Sequence, residues 1–460
     1  MQDLQGKNSL SKYNVIPCPW GYDYNRTIIH SSIITEWDLV CGRERLVDVA
    51  QITLMFGVLL GSIIFGVAAD KFGRRKVLLL SIFLQSFCGI LSAISPWFLA
   101  FLLFRFLLAM ANGGTMITSF VMCMEVVGGV WRTVVPILYQ IPFGFGNSIM
   151  AGFAYFLREW RYLQFTLSAL SALYILYYCF LPESPRWLLA VGRREEAARI
   201  LEKAAAINGM EKNMVKRLMS RFNFSERESE FSIQKANASS LLRTPELRRR
   251  TILLCTNWLI CGVSFFSFSQ YLGVVSHNLY LAVAIGGVIA APGTLLCVLV
   301  VKRCGRRISI TFANIFTAIC FLLILTVPKG RFPQDWPRIA LAGCGVVGMS
   351  ISLPALYLFT GELFPTVLRN AGVGSAVMCS KLGSMLAPLV IALGQIAWYF
   401  PLLVLGALSA LEGLLVLPLP ETLNTVLPET VQDVETPKKS SGDPQRGEYT
   451  LVSRNSILKK

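Results

Sequence analysis

The chain has 460 residues, 54% of them hydrophobic and 15% charged, with a mean hydropathy of +0.56 and a formal net charge of +16. A soluble chain carries about 25% charged residues, and disordered, collagenous or coiled-coil sequences are far less apolar, so all of these are excluded. Twelve cysteines are too dilute for a disulfide-bonded secreted scaffold, and in a membrane chain the basic excess records which loops stay inside rather than a nucleic-acid partner.

Residues 1–45 are polar and hold neither an apolar run long enough to span a bilayer nor the basic-then-apolar pattern of a signal peptide. Eleven apolar stretches follow, at 46–69, 77–95, 97–124, 134–156, 161–181, 251–274, 278–301, 307–327, 338–360, 371–393 and 398–418, and each is expected to be a transmembrane helix. Between the fifth and sixth lies a polar segment, 182–250. There Arg193, Arg194, Glu195 and Glu196 precede Ile200 and Leu201, as in a short amphipathic helix. The segment reads as a connector between two membrane halves or as a regulatory docking site. The tail, 421–460, is rich in Pro, Ser, Lys and Asp and has a disordered composition. Placing 1–45 outside, as part of an extracellular loop, puts 31 of the 43 Lys and Arg on the inner side and ten on the outer, so 182–250 and the tail are expected in the cytoplasm. The membrane halves are then 46–181 and 251–420.

Three features recur at nearly one spacing. Asp70-Lys71-Phe72-Gly73-Arg74-Arg75 is echoed by Lys302-Arg303-Cys304-Gly305-Arg306-Arg307, Glu125 and Arg132 by Glu362 and Arg369, and Pro182-Glu183-Ser184 by Pro420-Glu421-Thr422. All lie on one side of the membrane, which makes the halves parallel repeats, a plan of secondary transporters that bind substrate near the midplane. Two spans precede the second basic loop but only one precedes the first. The counterpart of 251–274 would fall near 19–42, where Asp23, Arg26, Glu36 and Asp38 forbid a crossing, so a first helix is expected to be missing.

Gly66-Val-Ala-Ala-Asp70-Lys-Phe-Gly73-Arg-Arg75 resembles the loop signature of the major facilitator superfamily. Cys18-Pro-Trp20-Gly-Tyr22-Asp23, Thr35-Glu36-Trp37-Asp38-Leu39-Val40-Cys41, Pro182-Glu-Ser-Pro-Arg-Trp-Leu188 and Thr360-Gly-Glu362-Leu-Phe-Pro365-Thr-Val-Leu-Arg369-Asn370 are similar to segments of solute carrier family 22, the organic cation, anion and carnitine transporters. The flavour is that of the insect organic cation transporter-like proteins. The resemblance implies an all-α polytopic major facilitator fold of two parallel six-helix repeats, a plasma-membrane location, a small organic ion as substrate and no cofactor. Family members begin with a helix followed by a disulfide-bonded, glycosylated extracellular loop. By that resemblance this chain starts inside the loop, Asn25-Arg26-Thr27 is an acceptor sequon on the outer side, and Cys18 and Cys41 are the candidate disulfide, although the family's other loop cysteines are absent. Asn223 and Asn237 head two further sequons in the cytoplasmic segment.

Asp70, Arg74, Arg75, Glu125, Arg132, Glu362 and Arg369 have the complementary signs for a latch that forms in one state and breaks in another, and they resemble the family's cytoplasmic charge network. The alternative is that Arg74 and Arg75 only set topology. Lys302 stands where the first half has Asp70, so the second network is not expected to be a copy. Arg105 lies within a span and resembles the superfamily's fourth-helix arginine, which implies a structural partner of the loop network or a substrate contact. Lys381 lies mid-span, where an unpaired ammonium is costly, and reads as lining a polar cavity or as reaching a neighbouring carbonyl. By the resemblance, cation transporters carry an aspartate here and anion transporters an arginine. Ala290 falls where cation transporters often carry a glutamate, so anions or zwitterions are favoured. Tyr139, Gln140, Phe265, Phe266, Tyr357, Met116 and Phe120 resemble cavity positions, each of them alternatively a packing residue.

No Walker motif, metal spacing or nucleophile and base pair points to an enzyme, and His30 and His277 stand isolated. A seven-span receptor has no use for a half-to-half repeat. A transporter working by alternating access is the best reading, and a truncated, non-transporting product is its alternative.

Overall fold

The computed structural model describes residues 21–127, 131–210, 241–275, 279–328, 331, 335–365, 368–423 and 434–435. A short helix, α1 (Ile33–Glu36), precedes α2 (Arg45–Phe72), α3 (Arg74–Ile94), α4 (Phe98–Val126), α5 (Trp131–Leu138), α6 (Ile141–Phe156), α7 (Trp160–Ala172) and α8 (Tyr177–Phe180). Two small helices, α9 (Pro185–Ala190) and α10 (Arg194–Ile207), open the connector. The second half holds α11 (Pro245–Val275), α12 (Leu279–Cys304), α13 (Arg306–Thr326), α14 (Trp336–Leu363), α15 (Arg369–Met385), α16 (Ala387–Ala392) and α17 (Phe400–Val416). Among the described residues ten helical spans are long and apolar enough to cross a membrane; α17 is apolar but shorter. Together they occupy the eleven expected positions.

The differences lie at helix ends and prolines. α11 starts at Pro245, ahead of the apolar run, because its first turn is held by Glu246, which pairs with Arg249 at 3.5 Å and Arg250 at 3.0 Å. The span 134–156 is broken at Tyr139–Gln140, where Pro142 has no N–H to continue the helix from α5 into α6. The span 371–393 is likewise broken at Leu386 by Pro388. Gly73 and Gly305 take φ of 104° and 87°, a region costly for residues with a Cβ, and so turn the chain sharply from α2 into α3 and from α12 into α13.

Within the first half α4 packs on α2 and α3; within the second, α11 packs on α15 and α17, and α13 on α14 and α17. The halves meet through α6 against α12 and α2 against α15. The larger core belongs to the second half, around Trp258, Phe359 and Phe364, each about 1% exposed or less. Burial differs between repeat mates. The apolar stretch of α11 is 61% buried and α17 buries about one face, whereas Trp160–Phe180, the mate of α17, is 6% buried. α17 packs on α11.

At the end of the bundle away from the two basic turns, Trp37 packs at tilted to edge-on angles against Phe98, Phe101 and Trp160 with ring centroids 5.1–5.5 Å apart, and its indole donates to the Pro96 carbonyl at 3.3 Å. Glu36 pairs with Arg161 at 2.5 Å and accepts from Trp160 Nε1 at 2.6 Å. The Glu-Trp-Asp-Leu motif therefore caps that end of the first half. The connector helices are amphipathic as expected: α10 buries Ala197 against Trp187 and Leu188 of α9.

Candidate functional site

A cavity of about 700 Å³ opens between the halves, lined by α2, α4, α14 and α15. Lys381 stands at its inner part. Twelve residues separate it from Arg369 at the start of α15, which is about 18 Å of helix and half the thickness of a bilayer core. The Lys381 ammonium lies 5.6 Å from the Phe266 ring centroid, in range of a cation–π contact. Phe120 and Tyr357 complete the inner wall with centroids 5.9 Å apart, one from each half. Tyr139 packs on Phe120 at 5.6 Å and shares a 2.8 Å hydrogen bond with Ser119.

Three of the eight expected cavity residues, Lys381, Phe120 and Tyr357, line this space; Tyr139 and Phe266 pack against them without lining it, and Phe265 lies against Phe266 at 5.5 Å. Met116 and Gln140 are not in its lining: Met116 is partly exposed on α4, and Gln140 sits in the turn before α6. Ala290 lies on α12 beside Gly144, where the halves close.

The cavity reaches the basic turns, and the charge network lines that end: Asp70, Arg74, Glu125, Glu362 and Arg186 all belong to its wall. Arg74 pairs with Asp70 at 2.7 Å and with Glu125 at 2.9 Å. The second half repeats part of the arrangement, with Arg306 on Glu362 at 2.9 Å. The Lys302 substitution removes only the counterpart of Asp70. Behind each arginine a second glutamate accepts from the first free N–H groups of the next helix. Glu183 accepts from Arg75 N at 3.0 Å, and Glu421 accepts from Arg306 N at 2.9 Å and Arg307 N at 3.0 Å, where a helix N-terminus favours an anion. Thr422 donates to Glu362 at 2.5 Å, and Trp187 donates to the Asp70 carbonyl at 2.8 Å.

Each carboxylate–arginine pair lies within one half, not across the two. Arg75 turns away to the Tyr178 carbonyl, with its guanidinium 4.9 Å from the Tyr178 ring. The side chains of Arg132 and Arg369 lie outside the described residues, as does Cys18. Cys41 is exposed and is bonded to no other cysteine among the described residues. Arg105 does not join the network, because twenty residues of α4, about 30 Å, separate it from Glu125; it lies 5.5 Å from the Phe101 ring near the other end. Asn25 is exposed, its side-chain oxygen accepting from Thr27 N at 3.1 Å and Thr27 Oγ1 at 2.8 Å.

Sequence reasoning missed Arg186, Arg306, Glu183 and Glu421. Arg306, Glu183 and Glu421 sit in the repeated segments, so pairing the repeats residue by residue would have found them.

At the end away from the mouth the halves are shut. Ser148 donates to the Ala284 carbonyl at 2.8 Å, Tyr155 meets Tyr280 at 5.8 Å, and Gln395 donates to Glu44 at 3.3 Å. A space between two repeats, open at one end and closed at the other, defines a transporter of the two-repeat helical class.

The chain matches the family described as "Sugar (and other) transporter" over residues 47–433. It is 37% identical over 423 residues to solute carrier family 22 member 3 of Rattus norvegicus, covering 92% of this chain and 74% of that one. It is 35% identical over 418 residues to the organic cation transporter protein of Drosophila melanogaster, covering 90% and 76%. The proton:xylose symporter XylE, bound to 6-bromo-6-deoxy-D-glucose, shares its fold at a TM-score of 0.66 and 19% identity, covering 86% of this chain and 89% of that one. The protein is a multi-pass membrane transporter of organic solutes. It belongs to solute carrier family 22 of the major facilitator superfamily.

Proposed function

We propose that the chain carries small organic anions or zwitterions across the plasma membrane by alternating access, without ATP hydrolysis. The observation that carries the reading is Lys381, the cation at the inner part of the cavity, half a bilayer from the mouth. An ammonium at that depth draws a carboxylate, while Phe120 and Tyr357 offer flat apolar walls to the rest of the solute. The name of the Drosophila relative speaks of cations. The charge at Lys381, away from the carboxylates of the mouth, argues the other way.

In the proposed cycle the mouth faces the cytoplasm, since the basic turns Lys71–Lys76 and Lys302–Arg307 flank it, and the C-terminus lies on the same side. The Arg74–Glu125 and Arg306–Glu362 pairs hold the helix turns rigid within each half, so the halves rock as units. The closing contacts of α6 on α12 break when the cavity opens to the outside. Binding of hippurate to the detergent-purified protein tests the reading. Hippurate is expected to bind at least tenfold more tightly to the wild type than to Lys381→Ala. Tighter binding of tetraethylammonium than of hippurate by the wild type would overturn it.

A further inference from the structure

Residues 27–31 form a strap over the turn that joins α6 to α7. His30 N donates to the Arg158 carbonyl at 3.1 Å, Trp160 N donates to the Ser31 carbonyl at 3.3 Å, and Ser31 and Glu159 pair as an isolated parallel β-bridge. The Arg158 guanidinium adds a hydrogen bond to the Thr27 carbonyl at 3.4 Å. Ile28 and Ile29 are 59% and 39% exposed, so it is the backbone pairing rather than apolar burial that fixes the strap to the first half.

One side chain of the second half enters this arrangement. Tyr280, in the first turn of α12, donates its hydroxyl to the Ile28 carbonyl at 3.4 Å and sets its ring edge-on to Tyr155 at the end of α6, with centroids 5.8 Å apart. The Arg158 guanidinium that holds Thr27 also lies 5.7 Å from the Tyr155 ring. The strap, Arg158 and Tyr155 thus make one socket, and a tyrosine suits it because its apolar ring and polar tip engage two different walls at once. One turn farther along α12, the Ala284 carbonyl takes the Ser148 hydrogen bond that closes the halves.

When the halves part at this end, Tyr280 leaves the socket, so its contacts belong to one state of the cycle and bias the equilibrium by whatever they contribute. We propose that Tyr280 and the strap 27–31 are the outer latch of the transporter: the extracellular segment, carried by the first half, grips the second half through this tyrosine and so sets the share of molecules closed to the outside. This rests on the alternating-access reading and adds to it a gating residue and the segment that holds it. The strap works in series. Cutting it from Tyr280 or from the Arg158 turn removes the same link, and cutting both removes no more.

Spin labels at Lys71→Cys and Lys302→Cys, on the full chain with its other exposed cysteines changed to serine, test it without any solute. Tyr280→Phe keeps the ring and loses only the donor. It is expected to raise the ratio of short to long label separations about threefold, the effect of one modest hydrogen bond. His30→Pro, which removes the N–H that holds the strap to Arg158, is expected to do the same, with Arg158→Ala in its place should it fail to fold. The double variant is expected to shift no further than either single one. Gly287→Val serves as the control for rocking itself. A shift in Gly287→Val with none in Tyr280→Phe, or a double variant whose shift is the product of the two single shifts, would overturn the latch and leave alternating access standing. Unshifted separations in all of them would defeat the alternating-access reading and the latch together.

Discussion

Arg306 reaches Glu362 at 2.9 Å, the same separation at which Arg74 reaches Glu125 in the other half. Both arginines follow a glycine in a positive-φ turn, and both glutamates close the helix that packs behind. Arg74 and Arg306 are buried, with 7% and 11% of the side chain exposed, so losing either partner strands a charge. Arg74→Ala and Arg306→Ala are each expected to cost about 3 kcal/mol in detergent unfolding. A Glu125→Gln, Arg74→Ala double-mutant cycle should show strong coupling, and simple additivity would contradict the pairing.

The closed end depends on Gly144 and Gly287. A Cβ on Gly287 would overlap the Gly144 carbonyl and the Ser148 hydroxyl. Gly287→Val is therefore expected to hold α6 and α12 apart and to favour the state with the cavity open at that end. Spin labels at Lys71→Cys and Lys302→Cys, which flank the mouth, would report it. The distance distribution should shift toward shorter separations in Gly287→Val, and an unshifted distribution would show that the glycine contact does not govern closure.

Asn25 lies exposed at the end that the charge distribution places outside. Endoglycosidase treatment of the protein from eukaryotic cells is expected to increase its gel mobility, and Asn25→Gln should abolish that change. A mobility shift retained in Asn25→Gln would move the glycan elsewhere.

The spans were legible because about 20 apolar residues have no other use than a bilayer crossing, and the parallel halves were legible from the recurring basic turns. The breaks at Tyr139 and Leu386 were less so, since hydropathy does not register a missing N–H at Pro142 or Pro388. Lys381, Phe120 and Tyr357 were found as cavity residues because charge and aromatics inside spans are costly or distinctive. That the mouth of this cavity is also the charge network could not be read from sequence: Asp70, Glu125 and Glu362 belong to different helices and meet only when the halves pack. Arg105 was misplaced for a different reason. Its charge was visible and the span 97–124 already set it about twenty residues from Glu125; it was the family resemblance, not the spacing, that tied it to the network.

The account turns on the sign of the charge at Lys381. Initial uptake of hippurate and of tetraethylammonium, measured in cells expressing equal surface amounts of the wild type and of Lys381→Asp, tests it most directly. The wild type is expected to favour hippurate, and the variant to lose at least tenfold of that uptake, about 1.4 kcal/mol, while gaining tetraethylammonium uptake. Equal tetraethylammonium uptake by the two proteins, with hippurate uptake unaffected by the substitution, would contradict it.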